Sequence, residues 1–167
     1  QTDVLCFGNS TGNVTASAIG GTAPYGFSWN TSPVQTNATA NNLAAGSYTC
    51  TITDATGCST SMNVVIAEPA SALTATIIAQ TDVAIFGEST GSATASGIGG
   101  DGPYSYQWSN GQNTEIASGL AAGTFTVLVT DANGCVTSTT VVINQPGSAL
   151  LAQVTAQTNV LCHGGAT

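Results

Sequence analysis

Five cysteines, one histidine and eight carboxylates are the side chains of this 167-residue chain best equipped for chemistry, and their spacing assembles little of it. His163 is the only histidine, sits beside Cys162, and has no second Cys/His pair after it, so a zinc site lacks ligands. Ser and Thr are plentiful, but no base recurs beside them, and His163 reads as a solvent-facing substitution rather than a general base. No catalytic or cofactor-binding residue is therefore assigned. Calcium is the one ion worth weighing, because it takes carboxylate and carbonyl oxygens from turns. Asp3, Asp54, Asp82, Asp101 and Asp131 fall in turns and joints, and Asp54, Asp82 and Asp131 are the candidates, with solvated turn carboxylates the expected reading. Lys and Arg are absent and the formal charge is −8, so the chain has nothing with which to neutralise nucleic-acid phosphates or anionic lipid headgroups. No apolar stretch reaches the roughly 18 residues that a membrane span needs, and direct membrane insertion is not expected. The Asn-x-Ser/Thr sequons at Asn9, Asn13, Asn30 and Asn37 are what so much Asn and Thr produces by chance, and they are expected to be bare.

The elements that must position these residues are copies of one another. Gln1-Thr2-Asp3-Val4-Leu5-Cys6-Phe7-Gly8 returns as Gln80-Thr81-Asp82-Val83-Ala84-Ile85-Phe86-Gly87 and starts again at Gln157. Tyr25-Gly26-Phe27-Ser28-Trp29 returns 79 residues later as Tyr104-Ser105-Tyr106-Gln107-Trp108, whereas Asp54-Ala55-Thr56-Gly57-Cys58 returns 77 later as Asp131-Ala132-Asn133-Gly134-Cys135. The difference is a two-residue insertion between Trp29 and Leu43, in a loop that tolerates it. Pro69 and Pro146 mark the joints. The expected organisation is a first repeat over 1–69 with its first strand outside the excerpt, a second over 70–146, and the start of a third over 147–167. Because the sequence opens within one repeat and stops within another, it reads as part of a longer array.

Within each repeat apolar residues alternate with polar ones. Tyr104, Tyr106 and Trp108 share a face, as do Phe125, Val127 and Val129, and the first copy matches with Tyr25-Phe27-Trp29 and Tyr48-Cys50-Ile52. Period two, with Gly, Pro and Asn punctuation, predicts an all-β fold of tandem immunoglobulin-like β-sandwich domains arranged head to tail. The second repeat is expected to hold strands near 72–78, 82–86, 92–98, 103–109, 113–118, 123–130 and 135–143, with hairpin turns at 54–57 and 131–134 whose closing glycine takes positive φ. Trp29 and Trp108 stand where such sandwiches bury a tryptophan, and Leu43-Ala44-Ala45-Gly46-Ser47-Tyr48 has the form of a tyrosine corner. Its counterpart in the second copy is Phe125, so Trp29, Tyr48, Trp108 and Phe125 are the structural core candidates.

Cys-Phe-Gly, then Gly-Gly-x-x-Pro-Tyr-x-x-x-Trp, then Leu-Ala-Ala-Gly-x-Tyr/Phe-Thr, then Thr-Asp-Ala-x-Gly-Cys occur in this order through essentially the whole chain. The order resembles the SprB repeat of giant surface adhesins in gliding Bacteroidota. The resemblance implies export by the type IX secretion system, an extracellular cell-surface location, and a part in adhesion and gliding motility. The family's usual pattern keeps cysteine at both the Cys-Phe-Gly and Gly-Cys positions, and Ile85 departs from it, leaving Cys135 without its expected local partner. Cys6 and Cys50 are both replaced in the second copy, by Ile85 and Val127, so a Cys6–Cys50 disulfide is the first expectation. The alternative joins neighbouring units, Cys6 to Cys135, because in a head-to-tail stack the first hairpin end of one unit lies near the Gly-Cys turn of the next.

The leading functional expectation is a non-enzymatic stalk or spacer in a long adhesin filament, and the alternative is a carbohydrate-binding repeat module. Exposure of Trp29 and Trp108 discriminates between them, since a sugar platform needs open aromatic faces. Expected partners are neighbouring repeats of the same chain, with surface polysaccharide or other filament chains as further candidates. Without Lys, sheet edges lack a common protection against lateral pairing. The segment 149–160 is expected to continue into a third unit, with donation of that strand to another chain as the rival reading.

Overall fold

The computed structural model describes residues 1–157, and where alternation is sustained it places strands. The first unit has β1 (Gly12–Thr15), β2 (Gly26–Trp29), β3 (Thr39–Leu43), β4 (Gly46–Thr53) and β5 (Ser59–Ile66). The second has β6 (Thr74–Thr81), β7 (Gly91–Ile98), β8 (Ser105–Trp108), β9 (Ile116–Leu120), β10 (Gly123–Thr130) and β11 (Val136–Ile143). No helix occurs among the described residues. The start of the third repeat from residue 158 onward, with Cys162 and His163, lies outside them.

Every ladder is antiparallel and stays within its unit. In the first unit β1 pairs β3, and β4 lies between β2 and β5. In the second, β7 lies between β6 and β9, and β10 between β8 and β11. The registers of the two copies correspond: Trp29 stands opposite Cys50 in the first, and Trp108 opposite Val127 in the second. Because inward residues alternate along each strand, the two sheets of a unit close on one apolar layer. Ala93 and Ala95 from β7 and Leu120 from β9 meet Trp108, Val127, Val129 and Ile143 from the opposite sheet. Small alanines on one sheet leave room for the indole on the other. The first unit repeats the arrangement with Val14, Ala16, Ala40 and Leu43 against Trp29, Cys50, Ile52 and Ile66. The chain is thus a tandem pair of all-β sandwiches.

The strand expected at 82–86 is absent. β6 runs on to Thr81, and the chain then bends, with Val83 alone turned into the core and Ile85 and Phe86 left 65% and 43% exposed. Glu88 N donates to Ile85 O at 3.1 Å and Gly87 takes φ +81°, so this apolar stretch is a turn. The two-residue insertion falls where a hairpin absorbs it: Trp29 N donates to Gln35 O, whereas Trp108 N donates to Gln112 O.

Candidate functional site at the joint between units

The repeated motifs gather at the two ends of each sandwich. At one end the Gly-Gly-x-x-Pro-Tyr loop is fastened by its own tyrosine, since Tyr25 Oη donates to Gly20 O at 2.7 Å and Tyr104 Oη to Gly99 O at 2.8 Å. That loop carries backbone groups to the Asp-Ala-x-Gly-Cys turn. Asp54 accepts from Thr22 N, Thr56 N and Oγ1, and Cys58 N, while Asp131 accepts from Asp101 N, Asn133 N and Cys135 N. The Thr56 hydroxyl first, and then the Thr22 amide, hold the Asp54 carboxyl down at about 2. For Asp131 burial works upward, but amide donors led by Cys135 and Asp101 outweigh it and leave the carboxyl below its ordinary range.

At the other end lies the Val-Leu-Cys-Phe-Gly turn. Asp3 Oδ1 accepts from Ala67 N and Asp82 Oδ1 from Asn144 N, which pin each turn to the strand that leaves the unit. The Asn144 amide, then its side chain, keeps the Asp82 carboxyl below its usual range. Gly8 N donates to Glu68 at 2.6 Å and Gly87 N to Gln145 at 3.0 Å. These clamps were not singled out in the sequence. The signal was available as a polar residue immediately before each joint proline, Glu68-Pro69 and Gln145-Pro146.

The two kinds of end meet between the units. Cys6 in the turn of the first unit is bonded to Cys135 in the turn of the second, with Cα atoms 5.7 Å apart. Asn133 Nδ2 bridges the contact, donating to Leu5 O at 3.2 Å and to Asp101 Oδ2 at 2.8 Å. The Cys6–Cys50 pairing expected first is therefore corrected in favour of the inter-unit alternative. Cys50 is fully buried in the first core, opposite Trp29, while Cys6 lies on a surface turn facing the neighbouring unit. Its replacement by Val127, equally buried, follows because both serve as small apolar core residues. Burial accordingly pushes the Cys50 thiol up. Cys58, the counterpart of Cys135, is free and exposed.

The calcium candidates do not converge. Asp54 and Asp131 belong to different units, Asp82 bonds Asn144 and Gln80 rather than the Asp54 turn, and the carboxylates are engaged by local donors. Among the described residues no group of three or more His, Cys, Asp or Glu could hold a metal ion. Trp29 and Trp108 are 1% and 2% exposed, and each indole N–H reaches a backbone carbonyl, that of Asn37 or Thr114. Tyr48 and Phe125 are half-buried against their cores. Tyr48 Oη donates to Ala44 O at 3.0 Å, the bond of a tyrosine corner.

Residues 1–34 and 77–113 match the family model of the SprB repeat. Each of the two units thus holds one stretch that matches the SprB repeat. In both, the matched stretch holds the Cys-Phe-Gly or Ile-Phe-Gly turn, the Gly-Gly-x-x-Pro-Tyr loop and the core tryptophan, whereas the Asn133-Gly134-Cys135 side of the joint lies outside it. SprB repeats are cell-surface repeats, and no helix among the described residues is long and apolar enough to cross a membrane. Among solved structures the chain is similar to the three N-terminal domains of the bacteriophage RB49 Highly Immunogenic Outer Capsid protein (Hoc), at 18% identity and a TM-score of 0.48. That match covers 80% of this chain and 53% of the other, so this chain spans about half the length of the solved three-domain chain. No curated protein matches.

Proposed function

We propose that this chain is a non-enzymatic spacer segment of a long extracellular adhesin, exported by type IX secretion and acting in adhesion and gliding of a member of the Bacteroidota. The observation that carries the reading is the covalent joint. A bond between Cys6 and Cys135, reinforced by Asn133, holds one sandwich against the next, which suits a part whose task is reach and alignment. The sealing of Trp29 and Trp108 between sheets favours the spacer over a carbohydrate module, because neither ring offers a face to a sugar. No residue of the joint is arranged as a nucleophile with a base. Neighbouring repeats are the partners this reading requires, and surface polysaccharide or adjoining filaments would be met by the assembled fibre.

Electron micrographs of the parent protein on cells test the proposal. A thin fibre whose length scales with the number of repeats is expected. A compact globule on a separate anchor would overturn it, and saturable binding of a defined glycan by the isolated chain would favour the carbohydrate reading.

A further inference from the structure

Two Asn-Gly pairs occur in the chain, Asn110-Gly111 and Asn133-Gly134, and they sit in matched turns. Gly111 N donates to Trp108 O at 2.9 Å and Gly134 N to Asp131 O at 3.1 Å. Both glycines take left-handed backbone, φ +89° and +83°, and a Cβ on either would meet nothing within 4 Å. The two glycine nitrogens are thus engaged alike, but the asparagine side chains are not. Asn110 is exposed, its Oδ1 accepts from Gln112 N, and its Nδ2 bonds no described residue. Asn133 is half-buried and both hydrogens of its Nδ2 are used, one by Asp101 Oδ2 of its own unit at 2.8 Å and one by Leu5 O of the neighbouring unit at 3.2 Å. The turn itself does not need an amide here. In the first copy the place belongs to Thr56, whose hydroxyl folds back onto Asp54 Oδ1.

An asparagine followed by glycine can lose its amide without an enzyme, because glycine sets no Cβ in the path of its own backbone nitrogen. Gly134 N attacks Asn133 Cγ, a new N–C bond closes a succinimide ring, and the Cγ–Nδ2 bond breaks. The proton of Gly134 N leaves with the departing ammonia. Water then opens the ring at either carbonyl and leaves aspartate or isoaspartate. The attack demands close approach and alignment of nitrogen and carbon. Gly134 N must first give up its bond to Asp131 O, and the carboxamide must turn onto it against both bonds of Nδ2. At Asn110 only the first of these restraints applies.

We propose that Asn133 is a deamidation site gated by the joint: the closed joint protects the amide, and its conversion unlatches the joint. The product sets a carboxylate where an amide donor stood, facing Asp101 Oδ2 and Leu5 O, two acceptors that it can only repel. The chain has no Lys or Arg to offset the added charge. Isoaspartate also inserts a carbon into the backbone of the turn that carries Cys135. No ladder joins a strand of one unit to a strand of the other, so the Cys6–Cys135 bond then remains as the tie between the two turns. A joint held at two points becomes a hinge held at one. The change runs one way, because the released ammonia is not taken back.

The test ages the oxidised full chain in mildly alkaline buffer and follows both Asn-Gly peptides by mass after chymotryptic digestion, since trypsin finds no Lys or Arg. Asn110 is the clock inside each molecule, and Asn133 should convert several-fold more slowly. The gap should narrow in Cys6→Ser and close in Cys6→Ser/Asp101→Ser, with folding of both variants checked by tryptophan fluorescence. Reducing the parent cuts the same bond without a substitution and should narrow the gap as Cys6→Ser does. Backbone amide relaxation of oxidised Asn133→Asp should show the two units tumbling more independently than in the parent, with Asn133→Ser in between. Equal conversion of the two asparagines in the oxidised parent overturns the inference. So does a gap that survives both cuts, or an Asn133→Asp chain that tumbles as the parent does.

Discussion

Tyr48 and Phe125 occupy one position in two copies and differ by an oxygen, which makes them a matched pair for measuring a single bond. Tyr48 Oη reaches Ala44 O in the first unit, and Phe125 has no donor to offer at the second. Tyr48→Phe should lower the stability of the first unit by about 1 kcal/mol, the usual worth of one such bond, in urea unfolding followed by tryptophan fluorescence. The core residues were legible from alternation alone, because burial of every second side chain leaves its mark in composition. The environment of Asp54 was not. Its position announces a turn, but one of its donors, Thr22 N, comes from a loop 32 residues away. The folded value of this carboxyl, about 2, lies below its ordinary 3.8, so its contribution is fully present above about pH 4 and is lost as pH falls through about 2. Thr56→Val removes the largest cause and should move the Asp54 titration upward, read from its carboxyl carbon by NMR across pH 1.5–5.

Strands were legible where period two ran for four residues or more, and misread where apolar residues merely clustered. Val83, Ile85 and Phe86 look like a strand, but Asp82 is drawn to Asn144 N and Val83 N to Asn144 O, which turns the chain out of the ladder after Thr81. A long-range pair of bonds overrode local preference, as is common for β structure. The link between the two sheets of a unit was equally hidden. Gln112, in the hairpin after β8, donates to Ser118 O at 2.8 Å and accepts from Ser118 N at 3.0 Å, and Gln35 does the same with Asn41. Each glutamine replaces a missing ladder partner and ties one sheet to the other. Gln112→Ala should cost about 1–2 kcal/mol and loosen β9, seen as faster amide exchange at Ser118 with β10 and β11 little changed.

At the scale of the molecule the described residues form two sandwiches and one covalent joint, and the joint was the hardest part to read. Joint replacement of Cys6 and Cys50 in the second copy pointed to a bond inside one unit, yet the two substitutions have separate causes, one in a core and one at a contact. Alternation already set Cys50 on the inward face with Tyr48 and Ile52; what the sequence did not show is that Cys6 meets the turn of the next unit. With a separation of 129 residues, the bridge should stabilise the pair by about 4–5 kcal/mol in the chain-entropy account. Calorimetry should therefore show that Cys135→Ser lowers the melting temperature and separates the transitions of the two units. The same bridge decides how the chain behaves under tension. A force applied at both ends travels through the first six residues, crosses the Cys6–Cys135 bond and leaves along β11, bypassing everything between. Should a sandwich rupture, slack on the order of 400 Å stays locked inside the covalent loop. Single-molecule stretching should record short extensions in the oxidised chain and long ones once a reductant is added. Under load the oxidised pair would keep its length by shielding its folded parts from the force.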